Sequence, residues 1–181
     1  MKKIIYTLLL LAVLPACCRA QSRSAVETST DILMFLPSGV GGIVSLAEGD
    51  YKGLLQHIES GAVTVATTYL LKYTVKKRRP DGSDNHSFPS NHTGVAFVGA
   101  SFLQQRYGWK WGVPAYAVAA YVGWGRVYCK QHDAWDVLAG AAIGTASAVF
   151  LTTPYARRHN ISLSPFATPD GGCGVHFSMN L

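Results

Sequence analysis

Residues 72–92 read KYTVKKRRPDGSDNHSFPSNH and residues 125–136 read GRVYCKQHDAWD. Only 14% of the 181 residues are charged and 49% are hydrophobic, so cations, histidines and a carboxylate gathered into two short stretches stand out from an apolar chain. Lys72 and Arg79 close one apolar segment, Ser90, Asn91 and His92 open the next, and Arg126, His132 and Asp136 lead into the last. A helical bundle presenting those three junctions to one pocket would surround a single phosphate-sized anion.

Each group has a chemical reason to be there. Arg offers paired N–H donors to phosphate oxygens and Lys a point charge. Free amides at a helix start attract anions, and the Ser90 hydroxyl adds a donor. His132 and Asp136 are four apart, which on a helix puts them on one face. There the carboxylate would accept from one ring nitrogen and leave the other as nucleophile or base. Each group also has a purely structural reading: Arg79 as a cation at a helix end, Ser90 as an N-cap, His92 as an ordinary helix-start histidine, Arg126 paired with an acid, and His132 with Asp136 as a stabilising pair.

Order and spacing join what the single residues leave apart. Lys-x6-Arg-Pro, Pro-Ser-x-His and Arg-x5-His-x3-Asp follow one another across 65 residues, with Arg79-Pro80-Asp81-Gly82, Ser87-Phe88-Pro89-Ser90 and Asp136-Val137-Leu138-Ala139-Gly140 around them. This resembles the type 2 phosphatidic acid phosphatase and vanadium haloperoxidase superfamily, in particular its small exported bacterial members, over about residues 30–155. The resemblance implies that His132 attacks phosphorus to form a phosphohistidine and that Asp136 orients it. It implies that His92 protonates the leaving oxygen, and that Lys72, Arg79, Ser90, Asn91 (through its backbone amide) and Arg126 hold the phosphate. It implies no metal and no cofactor, because fixed side chains supply the charge. Two positions depart from the usual pattern: Asn91 stands where Gly is common, and Gly125 where Ser is common.

The implied activity is a phosphomonoesterase, foremost a lipid phosphate phosphatase of the bacterial envelope. The alternative is a broad-specificity periplasmic acid phosphatase acting on soluble monoesters. A vanadium haloperoxidase and an inactive phosphate-binding envelope protein are the remaining readings. The expected partners are a lipid phosphate or small phosphomonoester and a membrane. Nucleic acid is excluded: the net charge of +6 falls to +3 once Lys2, Lys3 and Arg19 of the leader are set aside, and no long basic run exists.

Residues 1–20 read as a secretory signal, with Lys2 and Lys3 before an uncharged 11-residue run at 4–14. Cleavage after Ala20 and lipidation of Cys17 at Leu14-Pro15-Ala16-Cys17 both fit, as does an uncleaved anchor; each places the domain outside the cytoplasm, on the periplasmic side. If the cut follows Ala20, Cys129 and Cys173 remain, either bridged or as free thiols.

The chain predicts an all-α bundle of about five to six helices at 31–155, after a loose lead-in at 21–30 and before a short irregular tail at 156–181 holding at most one strand. An apolar helix at 32–47 should break near Pro37. Further helices are expected at 51–75, 92–106 with Ser90-Asn91 as N-cap, 113–124 with Pro114 in its first turn, and 134–153. Loops are expected at 80–89, 107–111 and 125–133. Most charge-free runs are too short to cross a bilayer, but 137–156 reaches 20 residues, so the domain is expected against or partly within the membrane. Trp109, Trp111, Tyr116, Tyr121 and Trp124 fit either an interfacial belt or core packing.

Overall fold

The computed structural model describes residues 23–155, 161–167 and 173–179. The leader, the cleavage site and Cys17 lie outside the described residues. Among the described residues six helices follow in order: α1 Arg23–Leu33, α2 Leu36–Ala47, α3 Tyr51–Val75, α4 Asn91–Tyr107, α5 Trp109–Tyr128 and α6 Ala134–Leu151. The all-α bundle is as expected.

α4 is the axis. It packs against α2, α3, α5 and α6, and Ala96, Val98, Ala100, Phe102 and Leu103 along it are buried. Its contact with α6 is a backbone-to-backbone approach. A Cβ on Gly140 would lie 2.3 Å from the Ser90 carbonyl oxygen, and one on Gly144 would lie 2.3 Å from that of Gly94. Only glycine admits this spacing. The matched order of these contacts makes α4 and α6 parallel, so their N-termini share one end of the bundle. Thr68 of α3 donates to the Asn91 side chain at 2.9 Å, which brings the C-terminal part of α3 to that same end.

The opposite end is closed by a buried ion pair. Arg106 donates to both oxygens of Asp50 at 2.6 Å, and Tyr107 adds a hydroxyl hydrogen bond at 3.0 Å. Arg106 also donates to the Thr153 carbonyl at 2.5 Å, tying the end of α6 to the start of α3 and the end of α4. Asp50 doubles as the N-cap of α3, accepting from the Gly53 amide.

Several boundaries differ from expectation. The lead-in is the helix α1, which buries Val26 and Thr30 one turn apart. The break falls at Met34 and Phe35, and Pro37 occupies the first turn of α2, where its missing N–H costs nothing. α5 is longer at both ends. It begins immediately after Gly108, leaving no turn at 107–111, and it runs through Gly125 and Arg126. Pro114 therefore sits inside the helix, and the carbonyl it leaves unbonded belongs to the exposed residue Lys110 of the first turn. The tail is an antiparallel hairpin, with β1 Ile161–Ala167 paired to β2 Cys173–Met179 from Ile161↔Met179 to Ala167↔Cys173.

Large apolar side chains face outward on every flank: Ile43 and Leu46 on α2, Leu55 and Leu70 on α3, Trp109 and Trp124 on α5, and Trp135, Leu138 and Phe150 on α6. Phe150 is 85% exposed, whereas Trp111 is buried in the core. Arg23–Ala47 and Ala134–Leu151 are each long and apolar enough to cross a membrane.

Candidate active site

The end of the bundle that gathers the last turn of α3, the first turns of α4 and α6 and the last turn of α5 holds the candidate phosphate-binding and catalytic residues singled out from sequence. α3 ends at Lys76, in the left-handed conformation at φ 46°, and the chain turns into the loop at 76–90. Lys72 ties this loop down. Its ammonium donates to the carbonyls of His86 at 2.8 Å and Pro89 at 3.2 Å. The Phe88–Pro89 bond is cis. Arg79 is braced by Asp84, which accepts from its Nε at 3.0 Å and, through its backbone carbonyl, from its amide.

Ser90 is the N-cap of α4, as expected, and is fully buried. Its Oγ accepts from the Thr93 hydroxyl at 3.0 Å, and its amide donates to the Asp136 carbonyl at 2.9 Å. Asn91 turns its side chain to Thr68 of α3, so only its backbone amide faces the open start of the helix.

His132 is not on a helix. It closes the short link between α5 and α6, whose N-cap is Asp133. Its ring is 2% exposed, and its Nδ1 has no hydrogen-bond partner. The expected hydrogen bond to Asp136 is not made: Nδ1 lies 3.7 Å from Asp136 Oδ2. The reason is that Asp136 is already engaged. Oδ2 accepts from Ser87 Oγ at 2.5 Å and from the Asp133 amide at 3.1 Å, and Oδ1 accepts from Lys77 at 2.8 Å. Asp133 and Asp136 form a capping box, and Lys77 bridges both carboxylates. Ser87 and Lys77 are therefore part of the site. The cation run and the Ser-Phe-Pro-Ser segment marked both in the sequence, but not their target.

The electrostatics favour an uncharged His132. Burial, then the positive charges of Lys72, Arg79 and Arg126, pull its pKa to about 3, with Asp136 opposing. His92 is pulled to about 4 by burial first and Arg126 second. Lys72, half-buried, is shifted downward, chiefly by desolvation. The structure thus brings three cations within electrostatic reach of one neutral imidazole.

Sequence reasoning missed Asp31. This residue of α1 places one carboxylate oxygen 2.6 Å from Arg126 Nη1 and 3.0 Å from His92 Nε2. Arg126 is otherwise buried, and its Nε has no partner. Nothing in the sequence marks Asp31 beyond its place before the apolar run, because its role depends on α1 packing against α5. Gly125 explains that packing. A Cβ there would meet Thr30 Cγ2 at 2.4 Å, so glycine on α5 lets α1 lie close.

Cys129 caps α5 as a free thiol. Burial raises its pKa, which makes it a poor nucleophile. Among the described residues no cluster of three or more His, Cys, Asp or Glu is placed to hold a metal ion.

The sequence and the fold have counterparts in known proteins. The lipid A 4'-phosphatase of Helicobacter pylori strain J99 is 35% identical over 141 residues, covering 72% of this chain and 71% of that protein. The lipid A 1-phosphatase of Porphyromonas gingivalis is 41% identical over 76 residues, 40% of this chain and 17% of that longer protein. The crystal structure of Aquifex aeolicus LpxE shares the fold, with a TM-score of 0.59 at 21% identity, covering 72% of this chain and 87% of that one. The sequence pattern of the PAP2 superfamily matches residues 53–159, a stretch that contains all three clusters and leaves α1 with Asp31 outside it. With the helix order, the convergent site and more than half the chain matched, this protein belongs to the PAP2 superfamily.

Proposed function

We propose that the protein is a phosphomonoesterase that works through a phosphohistidine and acts on a lipid phosphate of the bacterial envelope, from its periplasmic side. The observation that carries this reading is His132: a buried imidazole within electrostatic reach of Lys72, Arg79 and Arg126, whose charges together with burial push its pKa down to about 3. A neutral ring keeps the lone pair that attack on phosphorus needs, and the three cations balance the charge on the phosphoryl oxygens.

In this mechanism the substrate phosphate sits among Lys72, Arg79, Arg126, the Ser90 hydroxyl and the amides at the start of α4. His132 Nε2 forms a bond to phosphorus as the phosphorus–oxygen bond to the alcohol breaks. His92, protonated to the imidazolium once the negatively charged phosphate lies beside it, gives its Nε2 proton to the departing oxygen and is left neutral. As His132 gains positive charge, its Nδ1–H is drawn to Asp136, 3.7 Å away in the unliganded site; catalytic hydrogen bonds are commonly long before substrate binds. A water then attacks the phosphohistidine, passes a proton to His92, and releases orthophosphate and free His132.

The lipid substrate is supported by the exposed apolar flanks, whose Phe150, Trp135, Leu70 and Leu46 suit acyl chains better than water, and by relatives that are lipid A phosphatases. Purified protein in detergent should release phosphate from a lipid phosphate faster than from a soluble monoester at equal concentration, with a chelator present. Equal or greater turnover of the soluble ester would favour a broad acid phosphatase instead.

A further inference from the structure

We propose that Asp31 is a positioning residue for the proton donor: its carboxylate holds the reactive proton on Nε2 of His92 and neutralises the charge of Arg126 beside it. This inference rests on the reading of His92 as the acid that protonates the leaving oxygen.

The geometry is specific. One oxygen of Asp31 is shared between His92 Nε2 at 3.0 Å and Arg126 Nη1 at 2.6 Å. An imidazole that donates from Nε2 to a carboxylate has its proton on that nitrogen, so the tautomer is set by the contact. The groups facing His92 are Arg126 from α5, Lys72 from α3 and Asp31 from α1. The two cations disfavour the charged imidazolium, and Asp31 is the carboxylate that opposes them. Without it, the imidazolium would form beside two positive charges and lose the carboxylate that touches its ring.

The chain is built to bring this carboxylate in. Asp31 directly follows Thr30, whose methyl packs where a side chain at position 125 would have to sit. Thr30 is fully buried, and its hydroxyl lies 3.5 Å from Arg126 Nη1. The glycine that departs from the family's usual serine is thus the space α1 needs in order to reach the site. α1 also lies outside the stretch that matches the superfamily, so Asp31 is supplied by a part of this chain that the shared pattern does not specify.

Asp31 is half-exposed, so its replacement leaves the core intact. The test is the pH dependence of kcat on a lipid phosphate for the full chain and for Asp31→Asn, with Asp31→Glu as the conservative variant. Loss of the negative charge makes the imidazolium harder to form, so the limb on the alkaline side moves to lower pH. In Asp31→Asn this shift should be about one unit, with kcat near neutrality down about tenfold and KM within about twofold. Asp31→Glu should restore the limb. The 15N spectrum of the His92 ring provides a second readout: Nε2 carries the proton in the wild type and loses that preference in Asp31→Asn. An unmoved limb with an unmoved tautomer would overturn the proposal. So would a lower KM at unchanged kcat, which would make Asp31 an internal competitor for the phosphate site. A wild-type protein that released no phosphate at all would instead fail the phosphatase reading on which this inference stands.

Discussion

Nδ1 of His132 lies 3.7 Å from Oδ2 of Asp136, and that oxygen is already held by Ser87 at 2.5 Å and by the Asp133 amide at 3.1 Å. Asp136 is therefore held as the capping-box partner of Asp133 at the start of α6, a fixed carboxylate beside the ring. Its position is set by Ser87 and Lys77 rather than by His132.

Ser87→Ala should expose that dependence. It leaves a buried carboxylate oxygen short of a donor, which costs about 1–3 kcal/mol of stability. We expect kcat to fall by roughly tenfold with KM little changed, because the loss falls on a group that matters most when His132 becomes charged. Steady-state kinetics with a thermal melt check both.

Gly125→Ser restores the residue common in the family but should weaken this protein. The added Cβ meets Thr30 Cγ2 at 2.4 Å, and overpacking of this kind costs about 1–3 kcal/mol. Thr30→Ser removes that methyl and keeps the hydroxyl. The double variant should therefore be more stable than the sum of the single changes predicts, which a double-mutant cycle measures.

Arg106→Ala addresses the far end of the bundle. It leaves Asp50 buried without its bidentate partner, so stability should fall by about 3–5 kcal/mol. Activity per folded molecule should remain, since Arg106 lies outside the site. Denaturant unfolding alongside turnover below the midpoint separates the two effects.

Acid should destabilise the fold through the site histidines. His132 is held near about 3 and His92 near about 4, both below the ordinary 6.5. Between those values the unfolded chain binds more protons than the folded one. Stability is therefore full above about pH 6.5 and is lost as pH falls toward the folded values, by about 1.4 kcal/mol per pH unit for each group. Melting temperature against pH should show this slope, and His132→Asn should flatten it.

Much of this architecture could be read from the chain. The span of α3 and the start of α4 follow from an apolar run ended by cations and from Ser90 as a cap. The three clusters met at one end because helix ends carried them. What could not be read depended on packing between elements distant in sequence. Gly125 looked like a loop residue, yet it lies within α5, and Thr30 of α1 occupies the space a side chain there would need. Pro114 looked like a helix start, yet α5 begins five residues earlier, and the carbonyl it orphans belongs to the exposed Lys110 of the first turn. Asp31 carried no local signal at all; only the α1–α5 contact places it against His92 and Arg126.

The central claim is that His132 carries the phosphoryl group. Full-length protein should be incubated with a substrate labelled in its phosphate, quenched in alkali and mapped by peptide. The account predicts an alkali-stable, acid-labile label on the peptide containing His132, formed with chelator present and absent from His132→Ala, which should also lose at least about 10³-fold in kcat. Turnover in His132→Ala at the wild-type level, or a label on another residue, would contradict it.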